Sequence, residues 1–232
     1  MPALVSGRNS SGEIFYNSYL TTYIERGVRE LSNAIDSLTF LRFITAVAAR
    51  TGQMLNVADI ARDVDVNQKQ AKSWLDILET LGLVFYLHPY SNNLVKRLVK
   101  TPKLYFYDTG LVCYLAKWSS AETLERGAMN GALLENYVVS EIAKTFLHCG
   151  KRPFMYYYRD KDAKEIDVVL EHDGVLNPIG IKKTSNPGSE LIKPFGLLDK
   201  FGVPRSKGAV VCMKPELSAI DRDNYVVPVW MI

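Results

Sequence analysis

The spacing of apolar residues divides the chain into a helical first half and a strand-rich second half. In the first half, apolar residues recur every three or four positions, which is typical of amphipathic helices. The helices predicted there cover residues 15–31, 38–50, 57–64 and 67–81. Asn67 stands where it can cap the fourth helix, and Gly82 stands where a glycine commonly ends one.

Two short strands, 83–87 and 104–107, are predicted directly after the fourth helix. Helix, turn, helix and a two-stranded ribbon follow one another in the winged-helix order. Further helices are predicted at 111–118, 131–146 and 190–201, and strands at 154–158, 166–170, 175–181, 209–212 and 225–232. The fold class is therefore α/β (α+β mixed), with an N-terminal helical winged-helix domain followed by an αβββαβ domain. We expect a flexible leader at 1–14, the first domain at 15–118 and the second at 119–232.

Composition and charge narrow the function classes only slightly. The chain has 47% hydrophobic and 23% charged residues and a formal net charge of +3, which suits a globular protein and does not by itself indicate a polyanionic partner. The cysteines, Cys113, Cys149 and Cys212, contain no C-x-x-C pair and indicate neither a disulfide framework nor a zinc site. No apolar run approaches about 20 residues, so a cytoplasmic protein without a membrane partner is expected.

A first group of candidate functional residues could contact duplex DNA. If the apolar side of helix 67–81 is buried, Gln68, Lys69 and Lys72 face outward near its start, where they can reach phosphates or base edges. The ribbon that follows adds four basic residues: Lys96, Arg97, Lys100 and Lys103. Such a basic wing can bind a phosphate backbone. Lysine and arginine also protect the edges of sheets, and winged helices also bind proteins, so docking to a protein is the alternative.

A second group of residues belongs to a predicted hairpin. Asp173 and Gly174 form a preferred two-residue turn between strands 166–170 and 175–181. With those residues in the turn, His172 pairs with Val175. The register then places Asp167 opposite Gly180 and Glu165 opposite Lys182, all on one face of the sheet.

This hairpin resembles that of PD-(D/E)XK nucleases, in which an Asp and a Glu hold a divalent ion and a Lys orients the attacking water. The expected E-x-K is here Gly180-Ile181-Lys182, and glycine supplies no carboxylate. The candidate catalytic residues are Glu135, Asp167 and Lys182, with Asp167 and Glu165 as weak metal ligands. No cofactor is expected, and Mg²⁺ only if the nuclease site works. Alternatively, the two acids pair with Lys182 across the strands and the glycine allows a bulge or a close approach.

Three longer segments resemble a known family: YLTTYIER at 19–26, KLYFYDTGL at 103–111 and GALLENYV at 131–138. Together with KEID at 164–167 they resemble the C-terminal module of prokaryotic AAA+ superfamily ATP-binding proteins, predicted ATPases that carry a domain of unknown function. The resemblance implies a winged helix followed by a restriction-endonuclease-like domain, and an AAA+ ATPase domain upstream or in trans as a partner. The sequence contains no Walker A motif, so we expect no ATP hydrolysis by this polypeptide. Gly27 and Gly180 replace acidic residues that are common in the family, which argues against a nucleotide-sensing role for Arg26 and against metal-dependent cleavage.

These observations predict a DNA-binding accessory module of an AAA+ family protein, lacking the ATPase core and carrying an inactive nuclease-like domain. A metal-dependent nuclease and a protein-docking module without nucleic acid are the two alternatives.

Overall fold

The structure, a computed structural model, describes residues 12–24, 26, 36–93, 95, 97 and 100–232. Lys96, Gly27 and most of the predicted leader therefore lie outside the described residues. The chain divides into two compact units. We call the first the helical unit (1–50, 56–85 and 108–127) and the second the sheet unit (51–55, 86–107 and 128–232).

Short helices build the helical unit. They are α1 (Gly12–Tyr19), a π-helical turn (Leu20–Ile24), α2 (Ser37–Ala48), α3 (Val57–Asp63), α4 (Gln68–Thr80), α5 (Thr109–Leu115) and α6 (Ala121–Arg126). In its core Phe40 and Phe43 each pack edge to face against Trp74, and the ring centres of Phe43 and Trp74 are 5.1 Å apart. The predicted helices at 38–50, 57–64 and 67–81 are confirmed, whereas α6 was not predicted because no residue of this short helix is buried.

Helix α4 begins after Asn67 and ends before Gly82, as the sequence predicts. The Asn67 side chain accepts a hydrogen bond of 2.8 Å from the backbone N–H of Gln70 and so caps the helix. At the other end Gly82 has a φ of +67°, a left-handed conformation that glycine adopts without a steric penalty. These local signals fix where α4 begins and ends.

The DTGL part of KLYFYDTGL, residues 108–111, has a structural role in the helical unit. Asp108 Oδ1 accepts hydrogen bonds from the backbone N–H groups of Gly110 and Leu111 and caps α5. The hydroxyl of Tyr16 on α1 donates a hydrogen bond of 3.1 Å to the same carboxylate. A Cβ at Gly110 would overlap the Tyr16 hydroxyl, so only glycine leaves room for this contact.

In the described part of the chain, eight strands form one mixed sheet. They are β1 (Val84–Pro89), β2 (Lys103–Phe106), β3 (Met155–Arg159), β4 (Glu165–His172), β5 (Val175–Lys182), β6 (Gly208–Cys212), β7 (Ser218–Ala219) and β8 (Asn224–Pro228), in the order β2-β1-β3-β4-β5-β6-β8-β7. The long helix α7 (Asn130–His148) packs against β2 and β5, and a 3₁₀ helix (Ser189–Phe201) packs against β4, β5 and β6. A second 3₁₀ turn, Val229–Met231, follows β8.

The ribbon predicted as a wing is part of this sheet. His88 and Pro89 of β1 pair in parallel with Tyr156 and Tyr157 of β3. The structure thus groups residues 86–107 with the sheet, whereas the sequence placed them in a domain ending at 118. Hydrogen bonds to a strand so distant in the sequence leave no local signal, which is why the predicted boundary differs.

Two predicted elements differ in detail. The predicted strand 225–232 ends at Pro228, because the chain continues as the 3₁₀ turn. The segment 190–201 is helical as predicted but forms a 3₁₀ helix that contains Pro194, which lacks the N–H group that an α-helix needs.

The hairpin has the predicted turn and register. Asp173 and Gly174 both have positive φ, as a type I′ turn requires, and His172 pairs with Val175. The ladder continues in that register as far as Val168 opposite Ile179. Among the described residues, no helix has both the length and the apolar character needed to span a bilayer.

Candidate functional site

A cleft of about 700 Å³ in the sheet unit brings together the predicted nuclease-like residues. Its lining includes Glu135, Glu165, Asp167, Gly180 and Lys182. Since α7 supplies the first of these and the hairpin strands the others, the packing of the helix against the sheet creates the cleft. Lys103, predicted as a DNA-binding residue, lines the same cleft.

Lys103 is buried between two acids. Its Nζ lies 2.8 Å from Glu135 Oε1 and forms a second ion pair with Glu165 Oε1, while its side chain is 6% exposed. Burial alone would lower the pKa of Lys103, but the two carboxylates outweigh burial and raise it. Lys103 is therefore a permanent ammonium ion inside the protein, which corrects its predicted place on an exposed basic wing.

Glu135 and Asn136, neighbours on α7, hold strand β2 in two ways. Glu135 Oε1 accepts hydrogen bonds from Lys103 and from the Tyr105 hydroxyl, at 2.8 and 2.6 Å. Lys103 and Tyr105 are two residues apart on a strand, so their side chains point to the same face. Asn136 is fully buried and bonds both the N–H and the C=O of Phe106, at 2.8 and 2.9 Å. Glu135 and Asn136 of GALLENYV thus anchor β2 to α7.

Asp167 is a buried carboxylate with one strong backbone contact. Its Oδ2 accepts a 2.6 Å hydrogen bond from the N–H of Ile181 on the neighbouring strand. Burial and, after it, the nearby charge of Glu135 raise the pKa of Asp167 to about 6, although the Ile181 N–H, Lys182 and Lys103 act to lower it. A carboxyl group with this pKa is partly protonated just below neutral pH.

Two basic side chains lie at the exposed rim of the cleft. Arg159 is 3.8 Å from Glu165 Oε2, with 41% of its side chain exposed. Lys182 is exposed, and within the described ranges no ion pair joins it to Asp167 or Glu165, so the predicted cross-strand pairing with Lys182 is wrong. Glu165 pairs instead with Lys103.

Gly180 is not needed for close packing. A Cβ added there would lie 3.7 Å from the Phe195 ring, an ordinary van der Waals distance. Neither a bulge nor a close approach explains the glycine, and the structure has room for the Cβ of a larger residue at position 180.

The side chains of the cleft do not fit a divalent metal. Lys103 already contacts one oxygen each of Glu135 and Glu165, and Ile181 contacts one oxygen of Asp167. Position 180 offers no carboxylate. Mg²⁺ requires near-octahedral oxygen coordination and would sit beside a buried ammonium ion of like charge. Over the described residues, no group of three or more His, Cys, Asp or Glu side chains is arranged to hold a metal ion.

The other predicted DNA-binding residues divide into exposed and buried ones. Gln68, Lys69 and Lys72 on α4 are exposed, and so is Lys100. Arg97 is 9% exposed: its guanidinium lies 4.7 and 4.4 Å from the ring centres of Tyr90 and Tyr156, and it forms a 3.0 Å ion pair with Glu171.

The buried position of Arg97 within the sheet unit corrects its predicted place on a wing and gives it a structural role.

Tyr105 and Arg159 were not predicted as residues of this site, and Lys103 was predicted on the basic ribbon. All four residues of β2, Lys103 among them, are buried, and this burial comes from the packing of the strand and leaves no local signal in the sequence. A lysine on a wholly buried strand requires an acidic partner.

Family models match most of the chain. The domain of unknown function DUF8612 matches residues 1–122, more than half of the chain. The chain belongs to this family. A second domain of unknown function, DUF4143, which is found in AAA-associated ATPase-like proteins, matches residues 130–232.

Two curated relatives are similar to the chain: the uncharacterized protein Rv2008c of Mycobacterium tuberculosis and the uncharacterized protein Mb2031c of Mycobacterium bovis. Each is 32% identical over 198 residues, which is 85% of this chain and 44% of the relative. The chain thus spans less than half the length of these relatives. No solved structure matches it significantly.

Proposed function

We propose that the chain is a DNA-binding accessory module of an AAA+ family protein, with a sheet unit that is nuclease-like in layout but does not cleave DNA. The exposed start of α4 carries the proposal. Gln68, Lys69 and Lys72 all point to solvent there, and among the described residues no ion pair engages either lysine.

Two adjacent helices of the helical unit support the proposal. Helix α3 packs against α4, and a short connection joins them. One side of α4 is buried, with Trp74 and Leu78 at most 2% exposed, so the orientation of its exposed side is fixed. A rigid helix with donors near its N-terminus suits contact with phosphates and base edges in the major groove. In this interpretation β1 and β2 are the ribbon of a winged helix.

The proposal depends less on the ribbon than the sequence suggested. Arg97 and Lys103 are engaged inside the sheet unit, and Lys96 lies outside the described residues. Of the basic residues predicted on the ribbon, the structure thus describes only Lys100 as exposed. We therefore assign the main DNA contact to α4.

A salt titration of duplex binding tests the proposal. We expect Lys69→Ala/Lys72→Ala to weaken binding and to lower the slope of log K against log salt by about 2, since each phosphate contact contributes about 0.9. The control Lys151→Ala/Arg152→Ala removes the same charge from exposed positions after α7 and should bind like the wild type. Arg97 is unsuitable for this purpose because it is buried and paired with Glu171, so we expect its replacement to disturb folding.

Other outcomes would contradict the proposal. No duplex binding at low salt, or equal weakening by both double variants, would exclude DNA contact through α4 and favour the protein-docking function.

The absence of nuclease activity has its own assay. We expect supercoiled DNA to stay intact with Mg²⁺ or Mn²⁺, both with the wild type and with Gly180→Glu, because Lys103 stays between Glu135 and Glu165. Cleavage by the wild type that Asp167→Ala abolishes would instead establish the metal-dependent nuclease.

A further inference from the structure

Lys103 occupies the place between two carboxylates where a cation is needed. Its ammonium group contacts Glu135 Oε1 at 2.8 Å and Glu165 Oε1, and the Tyr105 hydroxyl donates to that same Glu135 oxygen at 2.6 Å. Two acidic side chains from different elements, α7 and β4, thus meet at one buried positive charge. In an otherwise metal-like layout, the protein supplies its own cation.

We propose that the Lys103 ammonium is an internal replacement for a divalent cation, so that the natural cleft excludes Mg²⁺ and Mn²⁺ and loss of this one charge turns it into a divalent-cation site. DNA binding by α4 is a separate property.

The charged side chains that line the cleft support this role of Lys103. Glu135, Glu165 and Asp167 line the cleft, and Lys103 is the buried cation among them. Arg159 and Lys182 add positive charge only from the rim, where solvent screens them. Without Lys103, Glu135 would have no close positive partner and Glu165 would keep only the partly exposed Arg159, at 3.8 Å. Carboxylates that are largely removed from water require such a partner.

The oxygens released by Lys103 are those that a metal would use. Mg²⁺ and similar ions commonly take one or two carboxylates and keep several waters. Glu135 and Glu165 can supply those two ligands, and the cleft of about 700 Å³ has room for water. Asp167 lies close enough to Glu135 for their charges to interact, and it adds negative potential.

Three proteins test the proposal: the wild type, Lys103→Met and Lys103→Arg. Methionine removes the charge but keeps an unbranched side chain, and arginine keeps the charge. Binding of Mn²⁺ is followed by loss of the electron paramagnetic resonance signal of the free ion, and the melting temperature is measured with and without millimolar Mn²⁺. Neither readout uses DNA or enzymatic activity.

We expect Lys103→Met to bind Mn²⁺ at least about tenfold more tightly than the wild type, because one like charge has gone from contact distance. Mn²⁺ should raise the melting temperature of this variant. The wild type and Lys103→Arg should show neither effect. Addition of Asp167→Asn to Lys103→Met should weaken its Mn²⁺ binding.

Two results would overturn the proposal. One is Mn²⁺ binding by the wild type that Asp167→Asn abolishes. The other is a folded Lys103→Met variant that does not bind Mn²⁺ and whose melting temperature Mn²⁺ does not raise. If Lys103→Met does not fold on its own, it is refolded from denaturant with and without Mn²⁺: recovery only with the metal supports the proposal, and failure with both contradicts it.

Discussion

Replacement of Asn136 by alanine would remove the buried hydrogen bonds by which this side chain attaches strand β2 to α7. The Asn136 side chain accepts from the N–H of Phe106 at 2.8 Å, donates to the C=O of Phe106 at 2.9 Å and accepts from the Thr51 hydroxyl. All three residues are fully buried, so water cannot replace these bonds in the folded protein. Asn136→Ala therefore leaves several polar groups unsatisfied.

The expected loss of stability follows from these contacts. A buried polar group without a partner costs about 1–3 kcal/mol, so the two backbone groups of Phe106 at the lower end cost about 2–4 kcal/mol. The smaller side chain adds about 1 kcal/mol for lost packing. We thus expect Asn136→Ala to lower the free energy of unfolding by about 3–5 kcal/mol, or the melting temperature by about 10 °C.

Urea denaturation followed by circular dichroism measures this change. Thr145→Ala is the matched control, because Thr145 lies on the same helix but is exposed and bonds only the Glu141 carbonyl. The control should change stability by less than about 0.5 kcal/mol. A loss below about 1 kcal/mol for Asn136→Ala would refute the role given to this side chain.

Two further predictions concern Asp167 and Gly110. Because burial raises the pKa of Asp167 from 3.8 to about 6, its protonated form favours folding. That stabilising contribution is present below about pH 4 and is lost as the pH rises through 6. Over this interval the wild type should therefore lose stability relative to Asp167→Asn in urea denaturation. Parallel pH profiles of the two proteins would contradict this prediction. In the helical unit, Gly110→Ala should destabilise by about 1–3 kcal/mol, because the new Cβ displaces the Tyr16 hydroxyl from Asp108. Since Tyr16→Phe removes that hydroxyl, the double variant should lose less stability than the sum of the single ones, and strict additivity in denaturation would disprove the contact.

Local sequence signals predicted much of this fold. Asn67 and Gly82 mark the two ends of α4 because a side-chain cap and a left-handed glycine act within a few residues of their own position. Asp173 and Gly174 also act locally. A two-residue turn fixes which residues of the two strands face each other, and so determines the hairpin register. From that register the sequence predicted Asp167 and Lys182 on one face of the sheet, and in the structure both line the same cleft.

The roles of the charged residues of the ribbon depend on long-range packing. Lys103 and Arg97 look in the sequence like Lys100, a basic residue on an exposed ribbon. Parallel pairing of β1 with β3 and packing of α7 on β2 bury the first two, where each meets an acid from a distant part of the chain: Glu135 for Lys103, and Glu171 for Arg97. Periodicity and turn chemistry depend on neighbouring residues, whereas the partner of a buried charge depends on long-range packing that no local pattern specifies.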